Sequence, residues 1–198
     1  SAFDFAGFFI DANNDEDQNT SMVLNAAGDL VMVDPSLDFD MITPADATVV
    51  SHLTTFGVAM PTGNAEQNTT KANFLAKTVN QDTVALAEEA LTNIGLANLL
   101  TVGETVKAIL VSGKANLLSE LAKDVNTDLL EDNASVEVDV DTLLTSVTIA
   151  NPAIASAAKA KAEVMQTTIA FIQDNNLSDI EGFNIGQFVT SISDTGLS

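Results

Sequence analysis

Short apolar runs alternate with polar segments in the first third of the chain. Residues 3–10 and 22–33 are rich in aromatic and β-branched side chains, and the second run is interrupted around Gly28 and Asp29. The residues between the two runs are almost all polar. This pattern predicts two or three short strands joined by a polar loop and a turn.

From residue 46 onward the apolar positions recur at helical spacing. They predict helices over residues 46–60, 65–79, 81–91, 104–125 and 153–173, with shorter helical turns after residue 178. Asp46 is the predicted N-cap of the first helix. Asn151 and Pro152 supply an N-cap and a proline at the first position of the fifth. A break near Gly113 is an alternative within the fourth, because glycine costs about 1 kcal/mol relative to alanine in a helix.

Residues 135–141 alternate strictly between valine and an acidic or polar residue. A period of two predicts a short strand with one face in water, which would extend the N-terminal β element. The expected fold is therefore mainly α, a helical bundle of five to six helices with a small antiparallel β element at the N-terminus. The predicted organisation is a β-rich arm with an acidic loop over residues 1–45 and a helical domain over residues 46–198.

The balance of charge and hydrophobicity limits the classes of function that we expect for the chain. The chain has 198 residues with 28 Asp and Glu against 7 Lys and Arg, a net charge of -21, yet 46% of its residues are hydrophobic and its mean hydropathy is +0.22. We therefore expect it to fold. All its basic residues are lysines, and tryptophan and tyrosine are absent, so nucleic-acid binding is not expected. No run of 18 uninterrupted apolar residues occurs, so membrane insertion is not expected either.

The residue types that most enzymes use are scarce. With no cysteine, the chain has no thiol nucleophile and no thiolate metal site. His52 is the only histidine, its neighbour Ser51 points in another direction on a helix, and no Gly-x-Ser-x-Gly elbow occurs. The segment around Lys114 lacks the first glycine and the final Ser or Thr of a phosphate-binding loop. We expect a protein that is not an enzyme, and an acidic enzyme of unknown type is the second alternative.

The acidic loop carries the best candidate site. Oxygen-bearing side chains occupy every second position, as in a loop that wraps around calcium. The candidate metal ligands are Asp11, Asn13, Asp15 and Asp17. Glu16 and Met22 stand where an EF-hand requires glycine and a bidentate glutamate, so a complete EF-hand is excluded. An incomplete calcium turn and a solvated acidic loop both remain.

Two further groups of alternating acids are weaker candidates, because any strand that faces water shows the same pattern. They are Asp34, Asp38 and Asp40, and Glu137, Asp139 and Asp141.

Two segments resemble parts of large secreted bacterial surface proteins and adhesins. Residues 43–55, Thr-Pro-Ala-Asp-Ala-Thr-Val-Val-Ser-His-Leu-Thr-Thr, are similar to a stretch that opens a helical module in those proteins. Residues 9–15, Phe-Ile-Asp-Ala-Asn-Asn-Asp, are similar to their short calcium-type turn. The chain departs from the pattern at His52, where proline is usual, and at Glu16, where glycine is usual. The resemblance implies an extracellular module without enzymatic activity.

These observations predict a non-enzymatic structural or adhesive module, located outside the cell or at its surface, with calcium as its candidate ion and self-association as its expected interaction. A virion structural protein or filament subunit is the alternative. Residues 1–10 contain Phe3, Phe5, Phe8, Phe9 and Ile10 and a single charge. Such an arm is costly to leave in water. Either it pairs internally with residues 22–33, or it fills a groove in a neighbouring copy.

Overall fold

The computed structural model of the chain describes residues 10–11, 21–24, 29–33 and 41–189. Helices predominate in this part, and its strands lie in the N-terminal region. The expected fold class, mainly α with a small antiparallel β element at the N-terminus, is confirmed. The chain divides into two compact units, Ser1–Asp82 and Thr83–Ser198. The predicted boundary between residues 45 and 46 falls inside the first unit.

A small sheet of short strands belongs to the first unit. Its strands, in chain order and in sheet order, are β1 (Ile10–Asp11), β2 (Ser21–Leu24), β3 (Leu30–Val33) and β4 (Val49–Val50). The first two pairings are antiparallel, with Ile10 opposite Met22, and β4 joins parallel to β3. The predicted internal pairing of the arm is therefore present at residue 10, whereas residues 1–9 lie outside the described residues.

The first unit contains two helices, α1 (His52–Ala59) and α2 (Ala65–Thr78). α2 has the predicted bounds to within a residue. The predicted start of α1 at Asp46 is wrong, because Val49 and Val50 extend to pair with β3 before the helix begins. Ser51 is the N-cap instead, and its hydroxyl accepts from the Thr54 amide in a capping box.

Side chains of α1 and α2 close the core of the first unit. The rings of Phe56 and Phe74 meet edge to face with centroids 5.3 Å apart, and both are fully buried. The Lys71 ammonium donates to the carbonyl oxygens of Val58 and Met60 at 2.8 and 3.1 Å. Lys71 thus satisfies backbone acceptors where α1 ends.

In the described part of the second unit, all the regular elements are helices. Its α-helices are α3 (Thr83–Ala90), α4 (Ile94–Val111), α5 (Leu118–Asp124), α6 (Val140–Leu143), α7 (Thr145–Ala150), α8 (Pro152–Asp174) and α9 (residues 185–189). The predictions for α3 and α8 are confirmed, including the Asn151 cap, whose side chain accepts from the Ile154 amide at 3.2 Å. The helices are shorter and more numerous than the apolar periodicity predicts.

α4 is the central helix of this unit and packs along α3 and α8. The predicted helix over residues 104–125 is wrong at its start and in its continuity. Asn93 caps α4 ten residues earlier than predicted. At the other end, Gly113 adopts φ +71°, a left-handed conformation that ends the helix. Among the described residues, α4 alone has the length and the mean hydropathy, 1.5, to cross a membrane, and 83% of it is buried within the protein.

The strand predicted over residues 135–141 is absent. Residues 135–139 are irregular, and Asp139 caps the short helix α6 by accepting from the Thr142 amide at 2.8 Å. The Val136 carbonyl and the Val138 amide bond the side chain of Asn98. Backbone groups that a strand partner would satisfy are therefore satisfied by a helix side chain.

Candidate functional site

A cavity of about 300 Å³ lies in the loop that connects α5 to α6 in the second unit. Five of the eight residues that line it have oxygen-bearing side chains, and the other three are small or apolar. Its walls are formed by Asn126, Asp128, Leu129, Glu131, Asn133, Ala134, Ser135 and Val136. It is one candidate binding site among the described residues.

Local hydrogen bonds shape this loop. The Asn126 side chain accepts from the Asp128 amide at 2.8 Å and caps a short 3-10 helix, Thr127–Leu130. The Ala134 amide then donates to the Glu131 carbonyl at 2.9 Å, which closes a turn. The cavity walls are thus made of two small hydrogen-bonded turns.

Asn98 on α4 fastens both ends of the loop. Its amide nitrogen donates to the carbonyl oxygens of Leu129 and Val136 at 2.8 and 3.0 Å. Its side-chain oxygen accepts from the Val138 amide at 2.8 Å. Since Asn98 is only 1% exposed, these bonds are shielded from water, and losing them would leave buried polar groups unsatisfied.

The first turn of α4 also contacts the loop. A Cβ atom at position 95 would collide with the backbone carbonyl of Glu131, so the close approach requires Gly95. Asn93 donates to the Asp132 carboxylate at 3.5 Å. The cavity is therefore held on a rigid helix.

The cavity offers hard oxygen atoms to a ligand. Asp128 and Glu131 contribute carboxylates, and Asn133 and Ser135 add an amide and a hydroxyl. These groups suit a hydrated cation or a polar molecule rich in donors. Within the described residues, however, no three His, Asp or Glu side chains come together in an arrangement able to hold a metal.

The predicted calcium ligands fall mostly outside the described residues. Asp11 is in β1, where it pairs with Ser21 across the antiparallel ladder. Asn13, Asp15 and Asp17 lie outside the described residues, as do Asp34, Asp38 and Asp40. The calcium turn therefore stays a prediction.

Two of the three acids of residues 137–141 have structural partners. Hydrogen bonds from the backbone and side chain of Thr142 lower the pKa of Asp139, as expected for a carboxylate that caps a helix. Asp141 pairs with Lys159 at 2.5 Å, and this hydrogen bond raises the pKa of the lysine. These two carboxylates act as a cap and an ion-pair partner within the second unit.

The histidine is in the interior of the first unit. His52 is the first residue of α1 and is 2% exposed. Next to it, the Ser51 hydroxyl is committed to the capping box. The Ser51 side chain therefore has a structural role, as the N-cap of α1.

Three lysines have structural positions. Lys107 and Lys161 are only 2% and 7% exposed, and Lys71 binds backbone carbonyls. Lys107 is paired with Glu104, which is also buried, so this pair leaves the net charge of -21 unchanged.

Sequence reasoning missed two buried polar positions, Asn98, which holds the cavity loop, and Glu104. A signal for the first was present, because an asparagine within the apolar stretch Leu96–Leu100 needs buried hydrogen-bond partners. Its partners are 31 to 40 residues away in sequence, so they could not be identified from local pattern.

No protein-family model, characterised protein or solved structure matches this chain.

Proposed function

We propose that this chain is a non-enzymatic structural or adhesive module that works outside the cell or at its surface and associates with copies of itself. The observation that carries the proposal is the use of the polar side chains. In the described residues several of them join separate parts of the fold: Asn98 binds both ends of the cavity loop, and Gln166 and Gln173 on α8 donate to the carbonyls of Val138 and Leu91. Hydrogen bonds between separate parts of the fold favour a rigid structure.

The acidic surface supports the same proposal. Like charges at this density repel each other, and dissolved salt or divalent cations relieve the repulsion. A salt-rich extracellular medium therefore suits the chain better than a dilute one. Calcium held by Asp11, Asn13, Asp15 and Asp17 would also relieve the repulsion at one point of the chain.

A filament subunit or virion protein is the second candidate. It is favoured by large apolar side chains that remain in water within the described residues. Ile149, Phe171 and Val136 are 82%, 53% and 65% exposed. Exposed apolar surface of this kind marks interaction sites.

Sedimentation of the full chain and of a chain without residues 1–10 tests the proposal. The full chain should associate as its concentration rises, and more strongly in salt. If the truncated chain folds by circular dichroism but no longer associates, an exchanged arm is supported. If it fails to fold as a monomer, the internal strand is supported. A full chain that stays monomeric at every concentration and salt level contradicts self-association.

Location is tested on intact cells that produce the chain. Protease added outside should degrade the protein while a cytosolic marker survives. Complete protection in intact cells, with degradation after lysis, contradicts the extracellular assignment.

A further inference from the structure

The solvent face of α8 carries an apolar seam. The residues that form it recur at alternating intervals of four and three, and all are exposed; they are Ala153, Ala157, Ala160, Val164, Thr167 and Phe171. This spacing is the a/d pattern by which two helices pack side by side. The opposite face, with Ala158, Ala162 and Ile169, is buried within the unit, so α8 is apolar on both sides.

The seam is almost free of charge. Between Ala153 and Phe171, Glu163 is the only exposed acid on α8, and it lies 3.7 Å from Lys159. Elsewhere this chain is strongly acidic, and two copies would repel each other. A near-neutral helix face is where a second copy approaches with the least repulsion.

The side chains of the seam change in size along the helix. Its N-terminal half is alanine, whereas its C-terminal half contains Val164 and Phe171, which are 44% and 53% exposed. In a parallel pair, Phe171 would meet Phe171 and Ala153 would meet Ala153, which leaves a gap at one end. In an antiparallel pair centred near Ala162, each large residue meets a small one.

We propose that two copies of this chain associate through the α8 seam, with the helices antiparallel and related by a twofold axis; the inference rests on the proposed self-association. Phe171 of one copy packs on Ala153 of the other, and Val164 packs on Ala160. In the same register Glu163 lies near the twofold axis, where Lys159 of its own helix, 3.7 Å away, offsets its charge.

The length of the seam sets the strength of this contact. At 1.5 Å per residue and a helix width of about 10 Å, residues 153–171 present roughly 300 Å² of projected area. Stable complexes bury about 800 Å² per partner, so the dimer is weak. It forms at high concentration, or where many copies are held together on a surface or in a polymer.

Sedimentation equilibrium of the full chain tests the contact. At about 0.5 M NaCl, which shortens the Debye length to a few ångströms, we expect dimers to form between about 10 μM and 1 mM. Phe171→Glu and Val164→Glu should each weaken dimerisation by roughly tenfold or more, since they place acids in the seam of both copies. Val111→Glu is the matched control, because Val111 is 51% exposed on α4 and gains the same charge.

Cross-linking tests the register independently. The chain has no cysteine, so introduced thiols are unique. Under oxidation, Ala157→Cys mixed with Thr167→Cys should give mainly the mixed disulfide dimer, identified by mass. A parallel pair would give the two homodimers instead.

The outcomes distinguish the α8 contact from self-association in general. If the wild type dimerises but both seam variants dimerise equally well, the α8 contact is wrong and self-association stands. If homodimeric disulfides dominate, the antiparallel arrangement is wrong. If the wild type remains a monomer throughout, both this contact and the proposed self-association fail.

Discussion

Glu104 and Lys107 form an ion pair inside the second unit, with 3.3 Å between the carboxylate oxygen and the ammonium nitrogen. Both belong to α4, one helical turn apart, and their side chains are only 4% and 2% exposed. A second pair of the same spacing, Glu120 and Lys123 on α5, is 2.7 Å apart and much more exposed. The two pairs differ mainly in burial, which makes them a natural comparison.

Breaking the buried pair should be costly. Lys107→Met leaves the Glu104 carboxylate in the interior without this cation, and we expect the free energy of unfolding to fall by about 3–5 kcal/mol. Replacing both partners, as in Glu104→Leu with Lys107→Met, should recover most of that loss. Urea denaturation of the two variants and the wild type measures both effects.

The exposed pair supplies the control for that measurement. Lys123→Met should change stability by less than about 1 kcal/mol, because water solvates Glu120 when its partner is removed. Equal losses in Lys107→Met and Lys123→Met would contradict the role given to burial.

Asn98→Ala should detach the cavity loop from α4. Three backbone groups lose a buried partner, so we expect a loss of about 3 kcal/mol or more in unfolding free energy. Hydrogen exchange should show loss of protection at the Val138 amide in particular. Asn126→Ala removes an exposed cap that bonds one amide, and its cost should be about 1 kcal/mol. If the Val138 amide stays protected in Asn98→Ala, Asn98 does not hold the cavity loop on α4.

The lowered pKa of Asp139 predicts a loss of stability in acid. Its ionised form is favoured in the folded chain, so its contribution is complete above the ordinary value of 3.8 and disappears as pH falls from there through the lower folded value. Asn is also a good N-cap but does not titrate. The melting temperature of the wild type should therefore fall more than that of Asp139→Asn as pH drops from 5 to about 2.5. A difference that is constant over this range would contradict the prediction.

Calcium should stabilise the fold if the acidic loop binds it. A ligand that binds only the native state at one hundred times its dissociation constant contributes about 2.7 kcal/mol. Millimolar calcium should raise the melting temperature at fixed ionic strength, and magnesium should do less. Asp15→Ala should abolish the shift, whereas Asp128→Ala, in the cavity of the second unit, should leave it intact. If calcium does not change the melting temperature, the predicted calcium turn is wrong.

Sodium chloride should stabilise the chain at neutral pH. Monovalent ions screen the repulsion between exposed carboxylates over a Debye length of about 10 Å at 0.1 M. Melting temperature should rise with salt, and Glu88→Gln combined with Glu137→Gln, both at exposed positions, should reduce the slope. A flat response to salt would show that repulsion among these acids does not limit stability.

The local sequence determined those helix ends and strand pairings that depend on residues close together in the chain. Asn151 and Pro152 followed by an alanine-rich stretch specify the start of α8, because cap, proline and helix propensity all agree. Gly113 allows the left-handed conformation at which α4 ends. The antiparallel pairing of β1 with β2 likewise follows from two apolar runs joined by a polar loop. In each case, neighbours along the chain supply the interactions.

Only the tertiary structure decided the features that depend on distant residues. Val136 and Val138 alternate with acids, as residues of a half-exposed strand do. The Asn98 side chain instead hydrogen-bonds to the Val136 carbonyl and the Val138 amide, and the segment forms part of the cavity wall. Gly95 lies in the first turn of α4, where the Glu131 carbonyl occupies the space that a side chain would fill. Glu104 and Lys107 have the spacing of an ordinary surface pair, and burial alone makes them an interior one. The reason is physical: propensity and periodicity describe a segment, whereas burial and hydrogen-bond partners are properties of what packs against it.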